Sequence, residues 1–383
     1  MISPDVFVRE AAQRGFGLHT GVPCSFLKGL INEVIDSPAV RWVPATNEGD
    51  AVAIAAGAEL GGTRSVVLLQ NSGLGNAVNP LVSLTRVFEI PALLVITLRG
   101  DPEGAPDEPQ HAFMGAITTE MLELLDIAWE WLPPEAGMIC RLFDRVVAHF
   151  EERRTPFAFV VRKGTFATAA LKSAPEPRPP APGGVPLSPA LSDPRPSRRE
   201  VLQAVQANAR PEDIIVATTG YTGRELYALE DRPNQLYMVG SMGCASSLGL
   251  GLALACPSRR VIVLDGDGAL LMRLGALATV AYERPRNLLH IALDNEAHES
   301  TGGQSTVSHS VDFRAIAAAC GYPSTSVTQD VAEIGRIVAT FGSQQGPTFL
   351  HAKIARGTPS DLPRPTITPP EVARRLRAHC RGA

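Results

Sequence analysis

What this sequence lacks narrows its function before any motif is considered. No block of lysine and arginine interrupts its 383 residues, and the net charge is −4, which argues against nucleic acid as the main partner. No apolar run approaches the length that spans a bilayer, so no membrane association is expected. The start, Met1-Ile2-Ser3-Pro4-Asp5, has no basic region followed by an apolar one, so no signal peptide is expected. Six cysteines are scattered without a Cys-x-x-Cys pair, which disfavours both structural zinc and a disulfide framework. Charged residues make up only 19% and apolar ones 45%, a composition that buries large cores. The expectation is a cytoplasmic enzyme of two domains.

The chain does have proline where a break is needed. Residues 174 to 197 are dense in proline and sustain neither a helix nor a central strand. They predict an extended connector at 173–197 between domains at 1–172 and 198–383. On each side, apolar strands alternate with helical patterns. The first part reads strands at Arg41 to Pro44, Ser65 to Gln70, Ala92 to Thr97 and Phe157 to Val161, with helices at Glu48 to Leu60, Ala77 to Phe88 and Thr119 to Ile127. The second reads strands at Ile214 to Ala217, Val261 to Leu264, Leu288 to Leu293 and Thr348 to Lys353. Helical patterns there cover Arg198 to Ala207, Ser246 to Ala255, Met272 to Glu283, Phe313 to Cys320 and Val331 to Thr340. The predicted fold class is α/β, with two doubly wound parallel-sheet domains and no central third domain. Ligands in such sheets bind at the carboxyl ends of the strands.

Leu264-Asp265-Gly266-Asp267-Gly268-Ala269 stands at one such end, and Asn295 follows Asp267 by 28 residues at the end of the next strand. An acid and an amide at one sheet edge suit a hard divalent cation that shares its remaining positions with phosphate. The glycines let backbone N–H groups approach phosphate oxygens at a helix start. The same run also reads as an ordinary turn. Thr218-Thr219-Gly220 after the strand ending at Ala217 suits a diphosphate, and equally suits an N-cap cluster. Glu48 opens an Ala-rich helix, where a carboxylate also favourably opposes the helix dipole. A nicotinamide fingerprint is broken twice: Gly73-x-Gly75 meets Val78, and Gly249-x-Gly251 meets Leu254.

Gly-Asp-Gly, about thirty residues and Asn resembles the cofactor-anchoring motif of thiamine-diphosphate enzymes. Asn47 to Gly57, Gln70 to Pro80, Thr218 to Gly223 and Val239 to Ala245 are similar to further elements of that superfamily, in the same order. The resemblance covers the chain outside the linker. It implies thiamine diphosphate and Mg²⁺ as cofactors, with Asp267, Asn295 and the Ala297 carbonyl as metal ligands. It places Glu48 beside N1′ of the aminopyrimidine, Gln70 and Asn71 facing the ring, and the Gly240 carbonyl on the 4′-amino group. Met242 becomes the apolar wedge under the cofactor, although methionine also fills cores well. Thr218, Thr219, Gly220, Ser241, Gly266, Gly268 and Ala269 complete the cofactor set.

The missing third domain makes the layout look like the phosphonopyruvate decarboxylase family, with sulfopyruvate decarboxylases as close relatives. Gly21 to Lys28, Asp107 to His111, Gly240 to Ser247 and Glu299 to Gln304 carry that likeness. The implied reaction is decarboxylation of 3-phosphonopyruvate, a small anionic 2-oxo acid, to phosphonoacetaldehyde and CO₂ in phosphonate biosynthesis. Sulfopyruvate decarboxylation and carboligation remain open alternatives, and a non-catalytic subunit is disfavoured by Glu48, Asp267 and Asn295 together. His111 and His298 are the further catalytic candidates. Ser25 and Lys28 are the substrate candidates, although Lys28 reads more readily as a solvated helix residue. The loop Asp101 to Gln110 is expected to close over the site. The superfamily places its cofactor between subunits, so a homo-oligomer, a dimer or larger, is expected.

Overall fold

The computed structural model describes residues 1–173, 188, 194–343 and 345–382. Two compact units lie on either side of the proline-rich stretch. The expected connector lies, apart from Ser173, Ser188 and 194–197, outside the described residues.

The first unit carries β1 (Phe16–Gly21), β2 (Arg41–Pro44), β3 (Arg64–Gln70), β4 (Leu93–Thr97), β5 (Ala128–Trp131) and β6 (Phe157–Val161). Its helices are α1 (Pro4–Gln13), α2 (Lys28–Asp36), α3 (Glu48–Leu60), α4 (Asn71–Pro80), α5 (Ala112–Leu124) and α6 (Ile139–Glu152). The second unit carries β7 (Ile214–Ala217), β8 (Gln235–Tyr237), β9 (Val261–Gly266), β10 (Leu288–Asp294), β11 (Ala297–His298), β12 (Gln304–Ser305), β13 (Ser324–Thr328) and β14 (Thr348–Lys353). Its helices are α7 (Arg198–Asn208), α8 (Tyr221–Leu229), α9 (Ala245–Ala255), α10 (Asp267–Met272), α11 (Gly275–Glu283), α12 (Phe313–Cys320), α13 (Val331–Thr340) and α14 (Pro369–Arg381).

Each unit builds one six-stranded, all-parallel sheet, ordered β2-β1-β3-β4-β6-β5 and β13-β14-β10-β9-β7-β8. Read from its own first strand, the second order is the same as the first: second, first, third, fourth, sixth, fifth. The halves therefore share one topology although no repeat is visible in the sequence. The α/β class with two parallel-sheet domains is as predicted. The central strands are apolar on both faces because helices cover both. Val66 to Leu69, Leu93 to Ile96 and Val261 to Leu264 are wholly buried. Each such side chain contributes about 1.5–3 kcal/mol relative to exposure. No helix among the described residues is long and apolar enough to cross a membrane.

The element after β3 differs in kind from its reading, and α5 begins at Ala112, ahead of the expected Thr119. The glycine-bearing run after β3 is not a turn before a helix at Ala77; α4 begins at Asn71, so Gly73 and Gly75 are helical. Pro80 then removes a helical donor, and Leu81–Thr85 widens into a π-turn with Arg86 N–H donating to the Leu81 carbonyl. Space decides Gly73: a Cβ there would lie 2.2 Å from Glu48 Oε1. Gly75 meets nothing within 4 Å.

Candidate active site

In the second unit, β7, β9 and β10 end side by side around a cavity of ≈ 150 Å³. Thr218 closes β7, its N–H donating 2.9 Å to the Leu264 carbonyl. Its Oγ1 is buried and has no partner, a desolvated group that a phosphate oxygen would satisfy. Gly220 turns at φ +95° and caps α8, and Gly220, Tyr221 and Thr222 at the start of that helix line the same cavity. Thr219, Gly266, Gly268 and Ala269 line it as well.

Asp267 opens α10 and is 4% exposed. Burial, then the charge of Asp294, pushes its carboxyl above the usual range, against hydrogen bonds from Thr306 and Ser308. A carboxylate so desolvated is stabilised by a cation. Asn295, at the end of β10, accepts 3.2 Å from the Ala297 N–H. Asn295 and Ala297 line the cavity beside Asp267. One carboxylate, one amide and one carbonyl form an all-oxygen donor set, the kind hard Mg²⁺ takes with diphosphate. Among the described residues no group of three or more His, Cys, Asp or Glu forms an alternative metal cluster. The residues present therefore fit a diphosphate with its magnesium ion.

Gly268 is where close approach is required. A Cβ there would stand 2.4 Å from His298 Cε1 and 3.3 Å from Met242 Cε. His298 and Met242 thus pack over the helix start and line the cavity. Gly240 and Ser241 do not line it. They lie just upstream of Met242, Ser241 buried and at φ 53°, a conformation few side chains other than Asn and Asp adopt.

Several residues that shape this cavity escaped the sequence reading. Arg198, at the start of α7, is buried between two carboxylates, donating 2.5 Å to Glu225 and also to Glu299. Glu299 in turn accepts from Gly357 N–H and from Thr358 Oγ1. This ties the turn after β11 to the strand-end segment after β14. Thr306 and Ser308, which bond Asp267, were signalled only by the hydroxyl-rich run Ser305 to Ser310.

In the first unit the predicted residues again gather at strand carboxyl ends. Glu48 is the first residue of α3, with Asn47 Oδ1 capping the helix at Gly49 N–H (2.8 Å). Glu48 Oε2 accepts 2.9 Å from Asn76 Nδ2, and the carboxylate leans over Gly73. Gln70 donates 2.7 Å to Ser72 Oγ and accepts 3.4 Å from Cys24 Sγ. Asn71 is wholly buried: its Nδ2 donates to the Arg99 carbonyl (2.9 Å) and Thr118 Oγ1 (3.0 Å), and its Oδ1 accepts from Arg99 N–H. Its amide braces the β4 end. Ser25 accepts 3.2 Å from Arg99 Nη1, whereas Lys28 is exposed in the first turn of α2. His111 is 8% exposed, with Nδ1 buried and unpartnered.

The loop after β4 is anchored. Asp107 accepts two hydrogen bonds from Arg99 (2.6 and 2.5 Å) and two more from Gly100 and Glu108 N–H. The Arg99 guanidinium holds the Asp107 carboxyl well below the usual range, against burial. Arg162 pairs with Asp101 at 3.0 Å.

Comparison with known proteins bears on these two sets. Residues 218–352 match the family model described as the thiamine pyrophosphate enzyme C-terminal TPP binding domain. Phosphonopyruvate decarboxylase of Streptomyces viridochromogenes is 45% identical over 372 residues, 96% of this chain and 93% of that one. Sulfopyruvate decarboxylase of Methanosarcina acetivorans is 31% identical over 396 residues, covering 98% of this chain and 97% of its own. A thiamine diphosphate-dependent 4-hydroxybenzoylformate decarboxylase from Rhodococcus jostii RHA1 superposes with a TM-score of 0.71 over 92% of this chain and 99% of that one. At 14% identity, that likeness speaks for the fold alone. The chain belongs to the family of thiamine-diphosphate-dependent decarboxylases that includes the phosphonopyruvate and sulfopyruvate decarboxylases.

Proposed function

We propose that this protein decarboxylates 3-phosphonopyruvate to phosphonoacetaldehyde and CO₂, using thiamine diphosphate and Mg²⁺. The 45% identity to a phosphonopyruvate decarboxylase along nearly the whole of both chains carries the substrate assignment. The cavity around Thr218, Asp267 and Asn295 supports the cofactor assignment. When bound, thiamine diphosphate supplies the carbon nucleophile and the electron sink.

The chain's own residues then have distinct tasks. Thr218, Thr219, Gly220 and the N–H groups at the start of α8 would hold the diphosphate, with Gly266, Gly268 and Ala269 close by. Asp267, Asn295 and the Ala297 carbonyl would hold Mg²⁺. The Gly240 carbonyl and Ser241 would meet the aminopyrimidine, with Met242 beneath it. Glu48 would hold a proton on N1′, and its hydrogen bond from Asn76 orients the carboxylate for that. Gln70 would face the ring and Asn71 would brace that wall. Ser25 and Lys28 would meet the substrate's anionic groups, where charged or hydroxyl donors are strongest. His111 and His298 would donate or accept protons near the reacting carbon. Catalysis in this family's manner needs both units, and we place the working site at a subunit interface of a homo-oligomer.

The test separates chemistry from anchoring. Glu48→Gln should abolish phosphonoacetaldehyde formation, followed by ³¹P NMR, while cofactor binding stays near wild type. Asp267→Ala should lose cofactor and metal together. Wild-type activity in both variants would remove the basis of the assignment.

A further inference from the structure

The hairpin β11–β12 returns to the metal side of the cavity by a route the family resemblance does not foretell. Its outgoing limb follows Asn295 and starts at Ala297, two of the proposed ligands. Its return limb leads into Thr306 and Ser308, and both hydroxyls reach Asp267. Thr306 Oγ1 donates 2.5 Å to Asp267 Oδ2, and Ser308 Oγ stands 3.1 Å from the same oxygen. Ser308 Oγ is also 2.8 Å from Asp294 Oδ1 and 2.8 Å from Thr306 Oγ1, and Ser308 N–H donates 3.3 Å to Thr306 Oγ1. Ser308 and Asp294 are fully buried, and Thr306 and Asp267 are 4% exposed.

The far end of this chain of contacts is fixed. Asp294 Oδ2 accepts 2.7 Å from Lys353 Nζ and lies 2.8 Å from His351 Nε2; its Oδ1 accepts from Glu296 N–H at 3.0 Å. Lys353 and His351 belong to β14, the neighbour of β10 in the sheet. Asp294 is thus held by β14, Thr306 donates to the Asp267 carboxylate, and Ser308, with one proton for two carboxylates, stands between Asp294 and Asp267.

We infer that Thr306 and Ser308 are positioning residues for Asp267, setting the orientation of this ligand toward a divalent cation and tying it through Asp294 to β14. A ligand's outer hydrogen bonds fix its orientation and raise its affinity, and losing one costs roughly 10–100-fold in metal binding. Each hydroxyl has one proton. Thr306 has Asp267 Oδ2 as its nearest acceptor, and Ser308 bridges Asp267 and Asp294, so the two side chains are not interchangeable.

The inference rests on the proposed cofactor site, and the experiment keeps the two apart. Free Mn²⁺ is counted by EPR in titrations of the full-length protein with thiamine diphosphate, for wild type, Thr306→Val, Thr306→Ser and Ser308→Ala. Wild type should bind. Thr306→Val and Ser308→Ala should each bind roughly 10–100-fold more weakly, and Thr306→Ser, which keeps the hydroxyl, should recover wild-type affinity. Turnover at saturating Mn²⁺ should stay close to wild type, so that the loss appears in the metal dependence. Metal-free melting temperature should not track the loss, which separates positioning from a purely structural role. If Ser308→Ala does not fold, the Thr306 pair decides. Wild-type Mn²⁺ affinity in Thr306→Val would overturn the positioning role alone. No Mn²⁺ uptake by wild type would overturn the cofactor site, and the inference with it.

Discussion

Replacing Gly73 by alanine should separate stability from catalysis without substituting Glu48 itself. Gly73 is the third residue of α4, and a Cβ there would stand 2.2 Å from Glu48 Oε1, 2.3 Å from Cδ and 2.5 Å from Cγ. Ordinary contact begins at 3.4 Å, so the carboxylate must retreat by about 1.2 Å. The obstructing atoms are the end of a flexible side chain, so the backbone has no need to move. The helix itself gains, because alanine is favoured over glycine in a helix interior by about 0.5–1 kcal/mol. Displacement breaks the Glu48–Asn76 hydrogen bond and takes the carboxylate off its aim. A misplacement of about 1 Å costs on the order of 10²-fold in rate. Gly73→Ala should therefore melt no lower than wild type while its kcat falls about a hundredfold, measured by aldehyde formation at saturating cofactor. Gly75→Ala is the internal control: nothing lies within 4 Å, so it should gain the same helical stability and keep its activity. A Gly73→Ala enzyme with wild-type kcat would refute the role given to Glu48.

Two further outcomes follow from buried charge. His19 is wholly buried in β1 without a partner, and burial alone lowers its pKa to about 3 from 6.5. The unfolded chain binds the proton that the folded one refuses, so stability is full above pH 6.5 and is lost as pH falls toward 3. Between pH 7 and 4.5 this costs about 2–3 kcal/mol, and denaturant midpoints across that range should show the loss in wild type and a smaller one in His19→Leu. Arg198→Met leaves Glu225 and Glu299 facing each other without their shared cation, in a pocket where the Arg198 and Glu225 side chains are only 6% and 1% exposed. It should cost about 3–5 kcal/mol in thermal or denaturant unfolding, and a loss below 1 kcal/mol would contradict the triad's role.

The sequence was most legible where local physics and function agree. Val261 to Leu264 is apolar enough to be a buried strand, and Gly266 to Gly268 ends it, so the anchor stood out. Glu48 to Leu60 was readable because Asn47 caps it and alanines fill it. β1 was missed because Phe16-Gly-Leu-His-Thr-Gly21 mixes glycines, a histidine and a threonine into a strand that only the finished sheet buries. α8 was hidden because its start doubles as the Thr218–Gly220 turn, and α14 because its apolar stripe of Val372, Ala373 and Leu376 is interrupted by arginines. The glycines of α4 read as a turn, since nothing local announces that Glu48 needs the space above Gly73. Arg99, Arg198, Thr306 and Ser308 act through partners 8 to 101 residues away, and such pairings exist only in three dimensions.

The most direct measurement of the central claim is a comparison of kcat/KM for phosphonopyruvate, sulfopyruvate and pyruvate, each with thiamine diphosphate and Mg²⁺, read as the aldehyde released. Clear preference for phosphonopyruvate, yielding phosphonoacetaldehyde, is the result expected here. Preference for sulfopyruvate would leave Glu48, Asp267 and Asn295 in their roles and overturn the phosphonate assignment, while no aldehyde from any of the three would contradict decarboxylation itself.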